Sequence, residues 1–147
     1  MTSAPRARAL IVCDGAVALI ERRRDGRRYL VFPGGVAESE TPGEAAAREV
    51  MEEPGLLIEV GPQVAEVMFG GDVQIYCLAT IVGGEFGAGR GREMTGHGGR
   101  DPGTYAPLWV PVDDLPRKPV RPGGVAELVL AAVKDGWSTE EVTFHDG

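Results

Sequence analysis

The sequence is poor in cysteine and lysine: Cys13 and Cys77 are its two cysteines, Lys118 and Lys134 its two lysines. Each cysteine sits in a separate apolar run, with no Cys-x-x-Cys or Cys/His spacing, so nothing points to zinc and both are expected to be reduced core thiols. The scarcity of lysine is made up by arginine and carries no functional reading. Long apolar runs are missing too. The stretch 9–20 is broken by Asp14, far short of the ~20 residues a membrane helix needs. Arg22, Arg23 and Arg24 follow that stretch and do not precede it, the wrong order for a secretory signal. The expected location is therefore cytoplasmic, with no membrane partner. Positive charge is also short: 15 Lys and Arg stand against 22 Asp and Glu, a net charge of −7. Binding to polymeric nucleic acid rests on neutralising phosphates with Lys and Arg, so a polymer is a poor expected partner. A small phosphorylated ligand is still allowed if a metal ion supplies the positive charge.

What is present describes a globular chain. Its 147 residues are 43% hydrophobic and 25% charged, values that exclude disorder and suit one domain spanning 1–147. A chain of that length buries roughly two-thirds of its extended surface, so it needs no covalent or metal staple to fold. Residues 1–8 read as a frayed end, and 137–147 as either a docking arm or a loose tail. Strands are expected at 9–13 and 16–21, joined by Asp14-Gly15, a dipeptide favoured in tight hairpins. Asp25-Gly26 marks a second turn, 29–32 a short strand, and Pro33-Gly34-Gly35 a stop. Further strands are expected at 56–60, 64–69, 73–82 and 108–112 from their Val, Ile and aromatic content. The helices fall at 41–53 and 124–134. Thr41 can cap the first, Pro42 fits its first position, and Glu44 completes a capping box. In the second, Val125, Leu128, Val129 and Ala132 form one apolar face. Strands and helices in this order predict an α/β or α+β domain with helices packed on a sheet. No internal repeat is visible.

Between residues 38 and 53 stand six carboxylates and one cation, Arg48. Glu49, Glu52 and Glu53 are spaced i, i+3 and i+4, so they share a helix face. Like charges so placed destabilise a helix by a few tenths of a kcal/mol per pair. A solvated acidic face is one reading. The other is a metal site, because Ala46, Ala47 and Val50 pack the opposite side and a Pro-Gly-Gly turn brings backbone carbonyls nearby. An all-oxygen cage suits Mg²⁺ or Mn²⁺, not zinc. Arg48, next to Glu49 and four residues from Glu44 and Glu52, can hold one of those carboxylates.

Gly34, five residues, Glu40, seven residues, Arg48-Glu49-Val50, one residue, Glu52-Glu53, one residue and Gly55-Leu56 resemble the signature of the Nudix hydrolases at all nine defining positions. The approach Tyr29-Leu30-Val31-Phe32-Pro33-Gly34-Gly35 is similar to that family's, as is the later run from Leu108 to Leu115. The resemblance implies a Nudix fold, a mixed β-sheet sandwiched between α-helices. It also implies hydrolysis of a nucleoside diphosphate linked to another moiety, with one to three divalent cations. Glu52 and Glu53 would be metal ligands, and Glu49 a third ligand or the group that activates water. Arg48 would orient Glu49, Gly34 or Gly35 would offer a backbone oxygen to the metal, and Glu40 would support the loop. Bound metal would clamp phosphate oxygens and lower the pKa of water.

Two positions depart from the commonest form of the box. Ser39 replaces a frequent glycine without consequence. Pro54 removes a backbone donor and disfavours helical dihedrals at Glu53; either the helix ends one residue early, or Glu53 is displaced and metal affinity falls.

Nine of the 22 residues from 83 to 104 are glycine, and a loop that long is either functional or a mobile excursion. Within it Glu93 is a candidate for metal or base chemistry, with Glu85 and Asp101 as further acids. Arg90, Arg92 and Arg100 are candidates for phosphate contacts. Phe86, Tyr105 and Trp109 can stack on a base or fill the core. His97 and His145 receive no role. No subfamily pattern is evident, which leaves a nucleoside triphosphate or an altered nucleotide as the expected substrate. A non-catalytic nucleotide sensor on the same fold is the alternative. Monomer and homodimer are both open.

Overall fold

A computed structural model describes residues 5–37, 40–52, 54–69, 72–84, 104–137 and 141–146. Its strands are β1 (Arg6–Cys13), β2 (Ala16–Arg24), β3 (Arg27–Val31), β4 (Gly34–Val36), β5 (Leu56–Phe69), β6 (Asp72–Gly84), β7 (Thr104–Pro111), β8 (Val120–Arg121) and β9 (Val142–Asp146). The helices are α1 (Pro42–Glu52) and α2 (Gly123–Asp135), with a 3-10 turn at Val112–Arg117. Asp14 and Gly15 take φ of 51° and 77°, and Asp25 and Gly26 take 52° and 74°, the paired positive values of tight hairpin turns.

The sheet is mixed, in the order β8-β3-β2-β1-β6-β5-β9, with β4 added to β1 and β7 to β2. β1 runs parallel to β6 over residues 6–11, is antiparallel to β4 over 6–8, and meets β2 at Val12 and Cys13. This strand is buried on both faces, which is why it reads as a continuous apolar run. Leu10 joins the larger core with Val17, Phe32, Tyr76, and Val125 and Val129 of α2. Ala9 and Ile11 pack with Val50 of α1, and Ala7 with Ala45 and Ala46. The two helices thus cover different faces of the sheet, as a mixed sheet between helices requires. Among the described residues no helix is long and apolar enough to cross a membrane.

Several elements differ from the sequence expectation. Residues 6–8 belong to β1, because their backbone is paired on both sides. The expected strands 56–60 and 64–69 are one strand, β5, with register shifts between Val60 and Gln63 and between Gln63 and Ala65. Exposed Gly61 and Pro62 lie at that irregularity, where a missing N–H costs no ladder bond. Pro33-Gly34-Gly35 does not end the extended backbone: Gly34–Val36 is β4. Val112 opens the 3-10 turn instead of closing β7. Residues 142–146 are not a loose tail: they form β9, parallel to β5, with Phe144 packed on the larger core. Both cysteines are free, but Cys13 is exposed and only Cys77 is buried. Cys13 sits at the hairpin end of β1, where the last residue projects beyond the core.

Candidate active site

α1 begins as its sequence dictates. The Thr41 N–H donates to Glu44 Oε1 (2.9 Å), and the Glu44 N–H donates to Thr41 Oγ1 (3.2 Å). This reciprocal box satisfies two otherwise orphaned donors. Thr41 draws the Glu44 carboxyl below its ordinary range, chiefly through its backbone N–H and then through its hydroxyl.

The far end carries the mark of Pro54. An α-helical Val50 carbonyl would accept from residue 54, which has no N–H. Gly55 supplies it instead, its N–H lying 3.0 Å from the Val50 oxygen, with φ of 85°. Among the described residues the helix runs to Glu52; Glu53, the last residue of the expected 41–53, lies outside the description.

Ala45, Ala46 and Val50 form the buried side of α1, while Ala47 is only half-buried. The inner face is thus rotated toward Ala45 relative to the expected Ala46, Ala47 and Val50. That rotation carries Glu49 inward, so that its side chain is 14% exposed against 47% for Glu52. Glu49 lies against Gly35: a Cβ there would stand 2.5 Å from Glu49 Cδ and 2.8 Å from Oε1. Gly34 has the same need for a reason of its own. At φ of 150°, its Cβ would fall 2.0 Å from the Ala7 carbonyl oxygen of β1. Glycine at both positions is therefore a packing requirement.

The segments flanking β4 are tied to β1 and to Pro5 just ahead of it. The Ala9 N–H donates to Pro33 O (2.9 Å), the Ala37 N–H to Pro5 O (2.8 Å), and Arg8 Nη1 to Phe32 O (2.9 Å).

Arg48 organises the carboxylates. Its Nε and Nη2 each donate to one Glu40 oxygen at 2.9 Å, Nη1 donates to Glu49 Oε1 at 2.8 Å, and Nη2 reaches Val36 O at 3.2 Å. Glu52 Oε2 lies 3.5 Å from Nη1. The fork-to-fork pairing with Glu40 is the geometry guanidinium and carboxylate favour. These bonds, Glu40 first and Glu49 next, hold Arg48 protonated more firmly than usual, against the opposing effect of burial.

The structure brings together Gly34, Gly35, Glu40, Arg48, Glu49 and Glu52. Glu53, Glu93 and Arg92 lie outside the described residues, as do Glu85, Phe86, Arg90, His97, Arg100 and Asp101. Among the described residues no three His, Cys, Asp or Glu side chains converge as a metal cage. The donor chemistry nevertheless fits a hard divalent cation: Glu49 presents its carboxylate next to the Cβ-free backbone of Gly35, and Glu52 brings a second carboxylate to the same Arg48 guanidinium. Tyr105 stands opposite Arg22 in the β2–β7 register; its side chain, like that of His145, is outside the description. Trp109 is partly buried and packs against the Ile11 and Val50 cluster.

One feature was not legible in the sequence. A cavity of about 620 Å³ opens beside the box loop, lined by Arg8, Arg22, Tyr29, Phe32, Gln74 and Arg121 among others. Its described lining comes from six strands, the start of α2 and the segment leading into the box, and no spacing links them.

A search of curated proteins finds no relative of significant similarity. Solved structures do match. An ADP-ribose pyrophosphatase from Streptococcus suis is 24% identical with a TM-score of 0.67, covering 99% of this chain and 100% of its own. A UDP-X diphosphatase is 18% identical with a TM-score of 0.70, over 97% and 68%. A MutT protein from Bacillus halodurans is 20% identical with a TM-score of 0.63, over 96% and 88%. At these identities the likeness establishes the fold. The family model described as the NUDIX domain matches residues 3–129, a span that holds the box loop, α1 and the sheet behind them; the chain belongs to the Nudix hydrolase family.

Proposed function

We propose that this protein hydrolyses a phosphoanhydride bond in a nucleoside diphosphate-linked compound, with Mg²⁺ or Mn²⁺ held by Glu49, Glu52 and Glu53 and by a backbone oxygen of Gly34 or Gly35. The observation that carries this reading is the Arg48 bridge, which links Glu40 and Glu49 with bonds of 2.8–2.9 Å. An acidic surface without a task has no need of an arginine that fixes one carboxylate by gripping another. A bound divalent cation supplies charge neutralisation of the diphosphate and a lowered pKa for attacking water. Arg48 keeps the Glu49 carboxylate in one orientation, and Gly35 leaves it the room to hold that orientation. Glu49 is placed either to ligate or to accept the proton of the attacking water.

The names of the structural relatives, an ADP-ribose pyrophosphatase and a UDP-X diphosphatase, support a nucleoside diphosphate joined to another group. A MutT relative keeps nucleoside triphosphates in the same frame.

The test is release of pyrophosphate, phosphate and nucleoside monophosphate from a panel of nucleotides with Mg²⁺ or Mn²⁺, run beside Glu53→Gln. The panel spans ordinary and oxidised nucleoside triphosphates, ADP-ribose, dinucleotide polyphosphates and nucleotide sugars. Turnover that disappears in the variant is expected. Metal-dependent binding without turnover of any member would replace the hydrolase with a nucleotide sensor.

A further inference from the structure

Phe144 of β9 meets two walls of the cavity beside the box loop without being one of the cavity's described lining residues. In the parallel β5–β9 ladder it stands opposite Val67, which lines the cavity. Partners in register project to the same side of a sheet, and the half-buried Phe144 ring packs there on the core that α2 covers. Its second contact is the first turn of α2. A Cβ at Gly124 would stand 3.0 Å from Phe144 Cδ1 and 3.1 Å from Cε1, so the ring edge lies against the glycine backbone. Gly123, the residue before it, lines the cavity together with Pro122 and Arg121.

That first turn is loosely bonded. α2 starts from Pro122 with no side-chain cap and no acid in its first turn, so no side chain fixes its beginning. The Val125 and Ala126 N–H groups both turn to the Pro122 carbonyl, at 3.2 Å and 3.4 Å, the long end of the hydrogen-bond range. Gly124 has no positive φ; glycine stands there for room, because the Phe144 ring occupies the space a side chain would take. The box is out of reach of this contact. α1 packs with Val50 on Ala9 and Ile11, whereas Phe144 packs on the separate core that holds Val125 and Val129.

We propose that Phe144 is a positioning residue for substrate: it seats the first turn of α2 beside Val67 and so sets the width of the cavity that takes the nucleoside part of the substrate. The proposal rests on the hydrolytic reading above. A cavity of about 620 Å³ is of ordinary size for a small-molecule site, and this one adjoins the box, since Arg8 lines it while its backbone pairs with Gly34. β9 lies outside residues 3–129, so the family likeness assigns it no part.

Kinetics and calorimetry on the full chain test it. KM and kcat are measured with Mg²⁺ for the nucleotides of the panel that turn over. Affinities are measured for AMP, GMP, CMP and UMP, which hold no anhydride to hydrolyse. Phe144→Ala is expected to raise KM, and to weaken the tightest monophosphate, roughly three- to tenfold, the scale of one lost contact. kcat stays near its wild-type value, and Phe144→Leu keeps part of the affinity. Gly124→Ala crowds the same contact from the other side and should raise KM likewise. Adding Phe144→Leu to Gly124→Ala makes room and should bring KM back toward wild type. If Phe144→Ala does not fold, the Gly124→Ala pair decides alone. A lowered Tm in Phe144→Ala with KM and affinities unchanged overturns the proposal, as does a fall in kcat at constant KM. A Gly124→Ala defect that Phe144→Leu fails to relieve also overturns it. Turnover with KM indifferent to both positions overturns it and leaves the hydrolase reading standing. Affinity that follows residue 144 without turnover of any compound supports it and removes the hydrolase reading. Neither binding nor turnover removes both.

Discussion

Gly35 and Glu49 occupy complementary space: a Cβ on the glycine would stand 2.5 Å from the carboxyl carbon of the glutamate. Glu49 cannot simply swing aside, because Arg48 Nη1 holds its Oε1 at 2.8 Å. Gly35→Ala is therefore expected to displace the carboxylate and lower kcat roughly tenfold or more, as small misplacements at reacting centres do. The stability cost should stay near ~1–3 kcal/mol, the usual range for overpacking. Steady-state kinetics beside a denaturant melt would check this, and full activity in the variant would refute it.

Arg48 and Glu40 should behave as one unit. Arg48→Ala is expected to reduce activity roughly ten- to a hundredfold, the range for groups that orient metal ligands. Arg48→Lys should rescue it only in part, since an ammonium cannot form the fork. Glu40→Gln should cost less, and the double variant no more than Arg48→Ala alone. Because the pair is partly solvent-exposed, its coupling in stability should be only about 0.5–1 kcal/mol in a double-mutant cycle. Strict additivity in activity would show that Glu40 acts independently of Arg48.

The capping box predicts a sign for acid stability. Folding lowers the Glu44 pKa below its ordinary value of 4.5. The stabilisation is then complete above that value and is lost as pH falls through the folded value. Glu44→Gln should flatten the dependence of Tm on pH in that acidic window and leave it unchanged near neutrality. A flattening that appeared instead on the alkaline side would contradict the assignment.

The two thiols should separate cleanly. Burial, and then the nearby Glu141 carboxylate, raise the Cys77 thiol above its ordinary value, whereas Cys13 is exposed. Because the thiolate is the reactive form, a disulfide reagent at neutral pH should titrate one thiol in the native protein and a second only after denaturation. Cys13→Ser should abolish the first. Two fast-reacting thiols in the native state would show that the core around Cys77 opens readily.

Local chemistry made much of the molecule legible before folding. Asp14-Gly15 and Asp25-Gly26 announced hairpin turns because so few residues accept positive φ, and Thr41, Pro42 and Glu44 announced a helix start because a capping box is closed within four residues. The box from Gly34 to Leu56 was readable for the same reason, since its spacing lies within one loop and one helix. Other features depended on partners distant in the chain. Pro33-Gly34-Gly35 looked like a stop, yet β1 turned it into a strand that only glycine allows so close to Ala7. The terminal residues 142–146 became β9 because β5 offered them an edge. Glu49 pointed inward because the packing of Ala45 on Ala7 set the rotation of α1. The cavity beside the box loop is the extreme case: Arg8, Arg22 and Arg121 carry no mutual spacing, and only sheet register brings them to line one cavity. A helix or a turn is settled by neighbours a few residues away, so its sequence is enough; a strand's partners, and any pocket built across strands, are decided by the packing of the whole sheet.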